Sequence, residues 1–123
     1  MTSILVVEDD LNIQKLFAKI LEKFLGYTIY TADNGRAALD FYRQNAAKID
    51  LIITDAFMPE LSGLELCRQL HKQVPVVITS AFSDARHLAE FKEAGALDFL
   101  AKPYDDFDAL KTKLAAIQQK IGQ

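Results

Sequence analysis

The sequence predicts an α/β domain built on a doubly wound, five-stranded parallel sheet, and three observations carry that prediction. Five short β-rich runs recur along the chain: Ile4 to Val7, Tyr27 to Thr31, Leu51 to Thr54, Val76 to Thr79 and Leu97 to Ala101. Several are near-continuous Ile/Val/Leu stretches, as suits strands buried on both faces. Segments with helical period separate them, and regular strand–helix alternation implies a parallel sheet covered by helices on both sides. Five strands suit the order 2-1-3-4-5, whose ligand site lies beyond the carboxyl ends of the strands, at the switch point between strands 1 and 3.

The elements follow one another with clear punctuation. Strand 1 is stopped by Glu8-Asp9-Asp10, with Asp10 expected to cap the next helix. Ile13, Leu16, Phe17, Ile20 and Phe24 then recur at i, i+3, i+4, i+7 and predict one apolar stripe facing the sheet. Gly26 precedes strand 2, which ends in a turn, Ala32-Asp33-Asn34-Gly35, where Asp33 is expected to cap helix 2. Helix 2 carries Ala38, Phe41 and Tyr42; helix 3 carries Leu66 and Leu70; helix 4 carries Leu88 and Phe91. Gly63, just before helix 3, is expected to supply a positive φ. Pro75 and Gly95 fall between elements. Asp105, Asp106 and Asp108 suit the start of the last helix, with its stripe Phe107, Leu110, Leu114, Ile117 and Ile121.

Composition narrows the class. At 123 residues the chain is expected to be one domain, residues 1–123, with no attached output module in the residues given. Half the residues are hydrophobic and a quarter charged, enough to fold without disulfides or structural metal. Cys67 is the one cysteine, so no intrachain disulfide can form, which fits a reducing compartment. A net charge of −3 offers no bulk electrostatic case for direct nucleic-acid binding. Apolar runs fall far short of the ~20 residues a membrane helix needs, so no membrane insertion is expected. The acidic stop after Val7 is unlike a signal peptide. A cytoplasmic protein is expected.

Chemistry gathers at the carboxyl ends of the strands. Strand 1 ends in Glu8 and Asp9, strand 3 in Asp55, strand 4 in Ser80, and strand 5 in Lys102-Pro103. In the order 2-1-3-4-5, strands 1 and 3 are neighbours, so Glu8, Asp9 and Asp55 converge. Carboxylates that close repel unless a cation intervenes. A hard divalent ion such as Mg²⁺ uses one or two carboxylates, waters and a phosphate. Lys102 adds a fixed positive charge. Independent helix capping accounts poorly for Asp9, Asp55 and Lys102 taken together.

The segments Ile4-Leu5-Val6-Val7-Glu8-Asp9-Asp10, Thr54-Asp55-Ala56-Phe57-Met58-Pro59 with Gly63, Thr79-Ser80-Ala81 and Phe99-Leu100-Ala101-Lys102-Pro103 resemble the receiver domain of two-component response regulators, in order and spacing along the whole chain. The resemblance implies a flavodoxin-like (βα)5 fold and a stand-alone, chemotaxis-receiver-like protein. It implies that Asp55 accepts a phosphoryl group from a sensor histidine kinase or a phosphotransfer protein. Asp9 and Asp55 would ligate Mg²⁺ (or Mn²⁺), with the backbone carbonyl of Phe57 and, directly or through water, Glu8. Lys102 and Ser80 would contact phosphoryl oxygens, and the Lys102-Pro103 bond is a candidate cis peptide. Ser80 and Phe99 occupy the switch positions, although Phe99 taken in isolation reads as permanent core. Helix 1 is the implied kinase-docking face. The implied output face, for a downstream protein, joins helix 4, strand 5 and helix 5. The chain would not be an enzyme beyond catalysing its own phosphorylation and slow autodephosphorylation.

Phe57 and Phe82 stand two residues beyond Asp55 and Ser80. There, two phenyl rings are expected to exclude water and slow hydrolysis, or else to be ordinary loop aromatics or a partner-facing patch. His71 and His87 lack neighbours at metal-ligand spacing and read as surface histidines. Cys67 reads as a small hydrophobe. Rival functions fit less well. A flavodoxin-type cofactor binder needs a Gly/Ser/Thr-rich turn where Glu8-Asp9-Asp10 stands. An aspartyl phosphatase normally wants a second acid where Phe57 stands. A receiver-like scaffold acting by protein contact without phosphorylation is the remaining alternative.

Overall fold

The computed structural model describes residues 2–82, 84–102 and 106–121. Five strands, β1 (Ser3–Val7), β2 (Thr28–Ala32), β3 (Leu51–Asp55), β4 (Val76–Ser80) and β5 (Asp98–Ala101), form one parallel sheet in the order β2-β1-β3-β4-β5. Five helices connect and flank them: α1 (Leu11–Lys19), α2 (Gly35–Asn45), α3 (Gly63–Leu70), α4 (Ala85–Glu93) and α5 (Phe107–Ile121). The predicted fold class and strand order are those observed.

The period of two in β1 divides the core. Leu5 and Val7 pack with Ala38, Leu39 and Tyr42 of α2, Leu66, Cys67 and Leu70 of α3, and Phe91 of α4. Ile4 and Val6 pack on the opposite face with Phe17, Leu21 and α5 residues Leu110, Leu114 and Ile117. All four strand residues are buried, which explains why the run has no polar alternation.

The α1 stripe differs from expectation. Phe17 is buried, but Leu16 is 54% and Phe24 66% exposed, while Leu21 and Gln14 lie inside. The helix leaves the α form after Lys19 and continues as a π-helical turn over Ile20–Phe24. That wider turn moves Phe24 off the face that Phe17 occupies. Leu88 and Phe107, expected on buried stripes, are likewise partly exposed: Leu88 lines the open groove beside β5, and Phe107 is the first residue of its helix.

Two expectations about loops are corrected. Asp33 does not cap α2. The Asn34 side chain does, accepting from the Ala37 N–H at 2.8 Å, and Asp33 instead accepts from Gln14. Gly63 has no positive φ; in its loop that conformation belongs to Glu60, at +69°, where the Leu61 N–H donates to the Pro59 carbonyl in a three-residue turn. Gly63 is needed for a different reason, close approach: a β-carbon there would lie 1.8 Å from the Asp55 carbonyl oxygen. Asp10 caps α1 as expected, and Asp106 caps α5 by accepting from the Ala109 N–H. Asp105 lies outside the described residues.

Candidate functional site

Register brings the candidate residues together. Val7 pairs with Thr54 and Ala32, Asp55 with Thr79, and Ser80 with Ala101. The residues that continue the strands, Glu8, Ala56 and Lys102, still donate their N–H groups to the neighbouring strand. Their side chains therefore leave the sheet at one level, over its carboxyl edge. One oxygen each from Glu8, Asp9 and Asp55 lies within 4.8 Å of the others.

Lys102 closes the cluster. Its Nζ hydrogen-bonds Glu8 Oε1 and stands 3.3 Å from Asp55 Oδ2. The other Glu8 oxygen, Oε2, accepts from the Asp10 N–H at 3.2 Å. Burial is the largest influence on the Glu8 carboxyl and raises it above the usual range, against the pull of the Lys102 hydrogen bond. Burial lowers the Lys102 ammonium, but its hydrogen bond to Glu8 and the charge of Asp55 outweigh that and raise it. Lys102 is thus held charged between two acids. Three convergent carboxylates, with only oxygen donors and one side open through exposed Asp9, fit a hard divalent cation such as Mg²⁺.

Ser80 is buried, and its Oγ accepts the Phe82 N–H at 3.0 Å. A hydroxyl that accepts in this way keeps its own proton to donate. Phe99 is half-buried and stacks on Phe91, with centroids 5.5 Å apart, at the wall of an open groove of about 250 Å³ between α4 and β5. Phe57 and Phe82 are both exposed and meet edge to face at 5.9 Å. Pro103, and with it the cis-peptide candidate, lies outside the described residues.

Two supporting residues were not foreseen. Gln14 is buried beneath the site and donates through Nε2 to the carbonyls of Glu8 and Ala32 and to Asp33 Oδ1. A polar residue on the inner face of an amphipathic helix was the available signal. His87, read as a surface residue, is packed against Phe57, Phe82 and Phe91. Its Nδ1 lies 2.7 Å from Asp84 Oδ1, and the hydrogen bonds from His87, first that of its main-chain N–H, hold the Asp84 carboxyl below its ordinary range. Cys67 is buried, which pushes its thiol up to about 11.

The model of the response regulator receiver domain family matches residues 4–115. The chain is 34% identical over 128 residues to the response regulator ArlR of Staphylococcus haemolyticus, covering 100% of this chain and 55% of that protein. It is 31% identical over 126 residues to the 3',5'-cyclic-nucleotide phosphodiesterase regA of Dictyostelium discoideum, covering 98% of this chain but 16% of that one. The solved Vibrio cholerae chemotaxis protein CheY4 matches with a TM-score of 0.81 at 29% identity, over 94% of this chain and 98% of that chain. The chain therefore spans about half or less of these two curated relatives. No helix among the described residues is long and apolar enough to cross a membrane. With its strand order, its acidic edge and a family match across most of its length, the chain belongs to the response regulator receiver domain family of two-component systems.

Proposed function

We propose that Asp55 is a phosphoacceptor. The observation that carries this reading is the convergence of Glu8, Asp9 and Asp55 with Lys102 Nζ at 3.3 Å from Asp55. An Asp55 oxygen would attack the phosphorus of a phosphohistidine on a histidine kinase or phosphotransfer protein. The new O–P bond forms as the P–N bond breaks and imidazole leaves. Such in-line transfer depends mainly on positioning and charge neutralisation. Lys102 supplies a positive charge to the incoming phosphoryl oxygens, and Ser80 donates its free hydroxyl proton to one of them.

Asp9, Asp55 and the Phe57 carbonyl would hold Mg²⁺ (Mn²⁺ as the alternative), which when bound neutralises phosphoryl charge. Glu8 would act through water, since both its oxygens are already engaged. Residues 1–123 would act as one cytoplasmic receiver unit without further enzymatic activity. Ser80 and Phe99 would switch the face of α4, β5 and α5, whose groove beside Phe99 supports a protein target there. Helix α1 would meet the kinase.

Intact-mass spectrometry after incubation with acetyl phosphate and Mg²⁺ tests the reading. One added phosphoryl group is expected, absent from Asp55→Asn and from a chelator control. No adduct, even with a phosphohistidine donor, would shift the reading to a scaffold acting by protein contact alone.

A further inference from the structure

We propose that His87 is a positioning residue for an aromatic cover beside the phosphoacceptor: its ring holds Phe82 against Phe57 and so slows attack of water on the acyl phosphate. The inference rests on Asp55 being the acceptor. Phe57 and Phe82 follow neighbouring strands, paired at Asp55 and Thr79, and they are 43% and 55% exposed. Two such rings, meeting only at their edges, have little to keep them in place. His87 supplies the missing surface. It stacks on Phe82 with centroids 5.0 Å apart and planes at 17°, and it meets Phe57 edge to face at 5.9 Å.

The His87 ring is itself fixed on two sides. Asp84 Oδ1 holds both its Nδ1, at 2.7 Å, and its main-chain N–H, at 2.9 Å, as the cap of α4. Phe91, fully buried, backs the ring with centroids 6.4 Å apart. Phe82 is therefore held at two points, its amide by Ser80 Oγ and its ring by a histidine anchored to α4. A solvated surface histidine needs none of these contacts.

Losing one ring contact of this kind shifts an equilibrium about two- to tenfold. His87→Ala is therefore expected to shorten the half-life of the Asp55 adduct by about that factor, with His87→Phe, which keeps a ring but not the bond to Asp84, restoring it in part. In the unphosphorylated protein, the Phe82 amide should exchange faster with solvent in His87→Ala and at an intermediate rate in His87→Phe. Unchanged exchange in His87→Ala overturns the positioning role whatever the phosphorylation result. Faster exchange with an unchanged half-life overturns the link to hydrolysis and leaves the acceptor assignment standing. No adduct in the wild-type protein overturns both.

Discussion

Gly63 packs its α-carbon against the main-chain carbonyl of Asp55 so closely that a β-carbon would lie 1.8 Å from the oxygen. Gly35 stands in the same relation to the Leu61 carbonyl, at 2.0 Å. Both ends of the loop after Asp55 are thus set by backbone-on-backbone contacts. Alanine in a helix is ordinarily preferred to glycine by about 1 kcal/mol, but here the clash is with backbone that has no room to yield. Gly63→Ala is expected to lower stability by about 3 kcal/mol, the upper part of the overpacking range. Urea unfolding measures it; a more stable variant would contradict the packing argument.

Phe57 and Phe82 present carbon where a polar side chain would orient water. Replacing them together, Phe57→Asn with Phe82→Glu, is expected to speed loss of the phosphoryl group by at least about tenfold, since a positioned acid–base group contributes that much or more. The decay of the adduct mass over time reports it. A lifetime unchanged or longer would remove water exclusion as their role and favour a partner-facing patch.

Asp98 anchors α5 to the start of β5. Lys113 and Lys120 both reach its carboxylate, at 2.9 and 3.0 Å, and its Oδ1 also accepts the Phe99 N–H. Burial pushes this carboxyl up, but those hydrogen bonds outweigh it and hold it below the ordinary value. A carboxyl held low contributes stability that is present above its unfolded pKa and is lost as pH falls through the folded one. Asp98→Asn should therefore cost roughly 1 kcal/mol near neutral pH, after allowing for screening at a partly exposed site. The difference from wild type should close below about pH 4. Denaturation midpoints across pH test this, and a gap that widens in acid would refute the sign.

Cys67 combines full burial with a thiol pushed up to about 11, so almost none of it is thiolate at neutral pH. Thiol reagents are expected to label the native protein only as fast as it opens, and at once in denaturant. Rapid labelling of the folded chain would mean that α3 is not packed as described.

The parts legible in advance are those governed by local pattern. The apolar runs in the strands, the alternation with helices, and the acids and lysine at the strand ends each depend on residues near one another in sequence, so strand order and the convergence of Glu8, Asp9, Asp55 and Lys102 could be anticipated. The errors share a different cause. A period that assumes an unbroken α-helix places Phe24 inward, and the π-helical turn after Lys19 ends that assumption; Leu16, still within α1, is exposed while Phe17 and Gln14 take the inward face. Gly63 was given a conformational role because its partner, a carbonyl on another element, leaves no local trace. His87 reads as solitary by metal-ligand spacing, whereas its neighbours are aromatic: Phe91 one turn along α4, Phe82 in the loop before that helix, and Phe57 in the loop after β3.

Amino-acid pattern alone thus decides that this chain forms a parallel α/β sheet and which charged groups crown its carboxyl edge, because buried strands and helix stripes are written in short periods. Three-dimensional packing decides how those groups are held. Lys102 meets Glu8 across 94 positions of chain, Gln14 pins the main chain beneath Glu8 through the end of β2, and His87 closes on Phe82 and Phe57. The Lys102–Glu8, Gln14–Ala32 and His87–Phe57 contacts join segments distant in sequence, set only when the sheet has ordered its strands and fixed the space into which each side chain must fit.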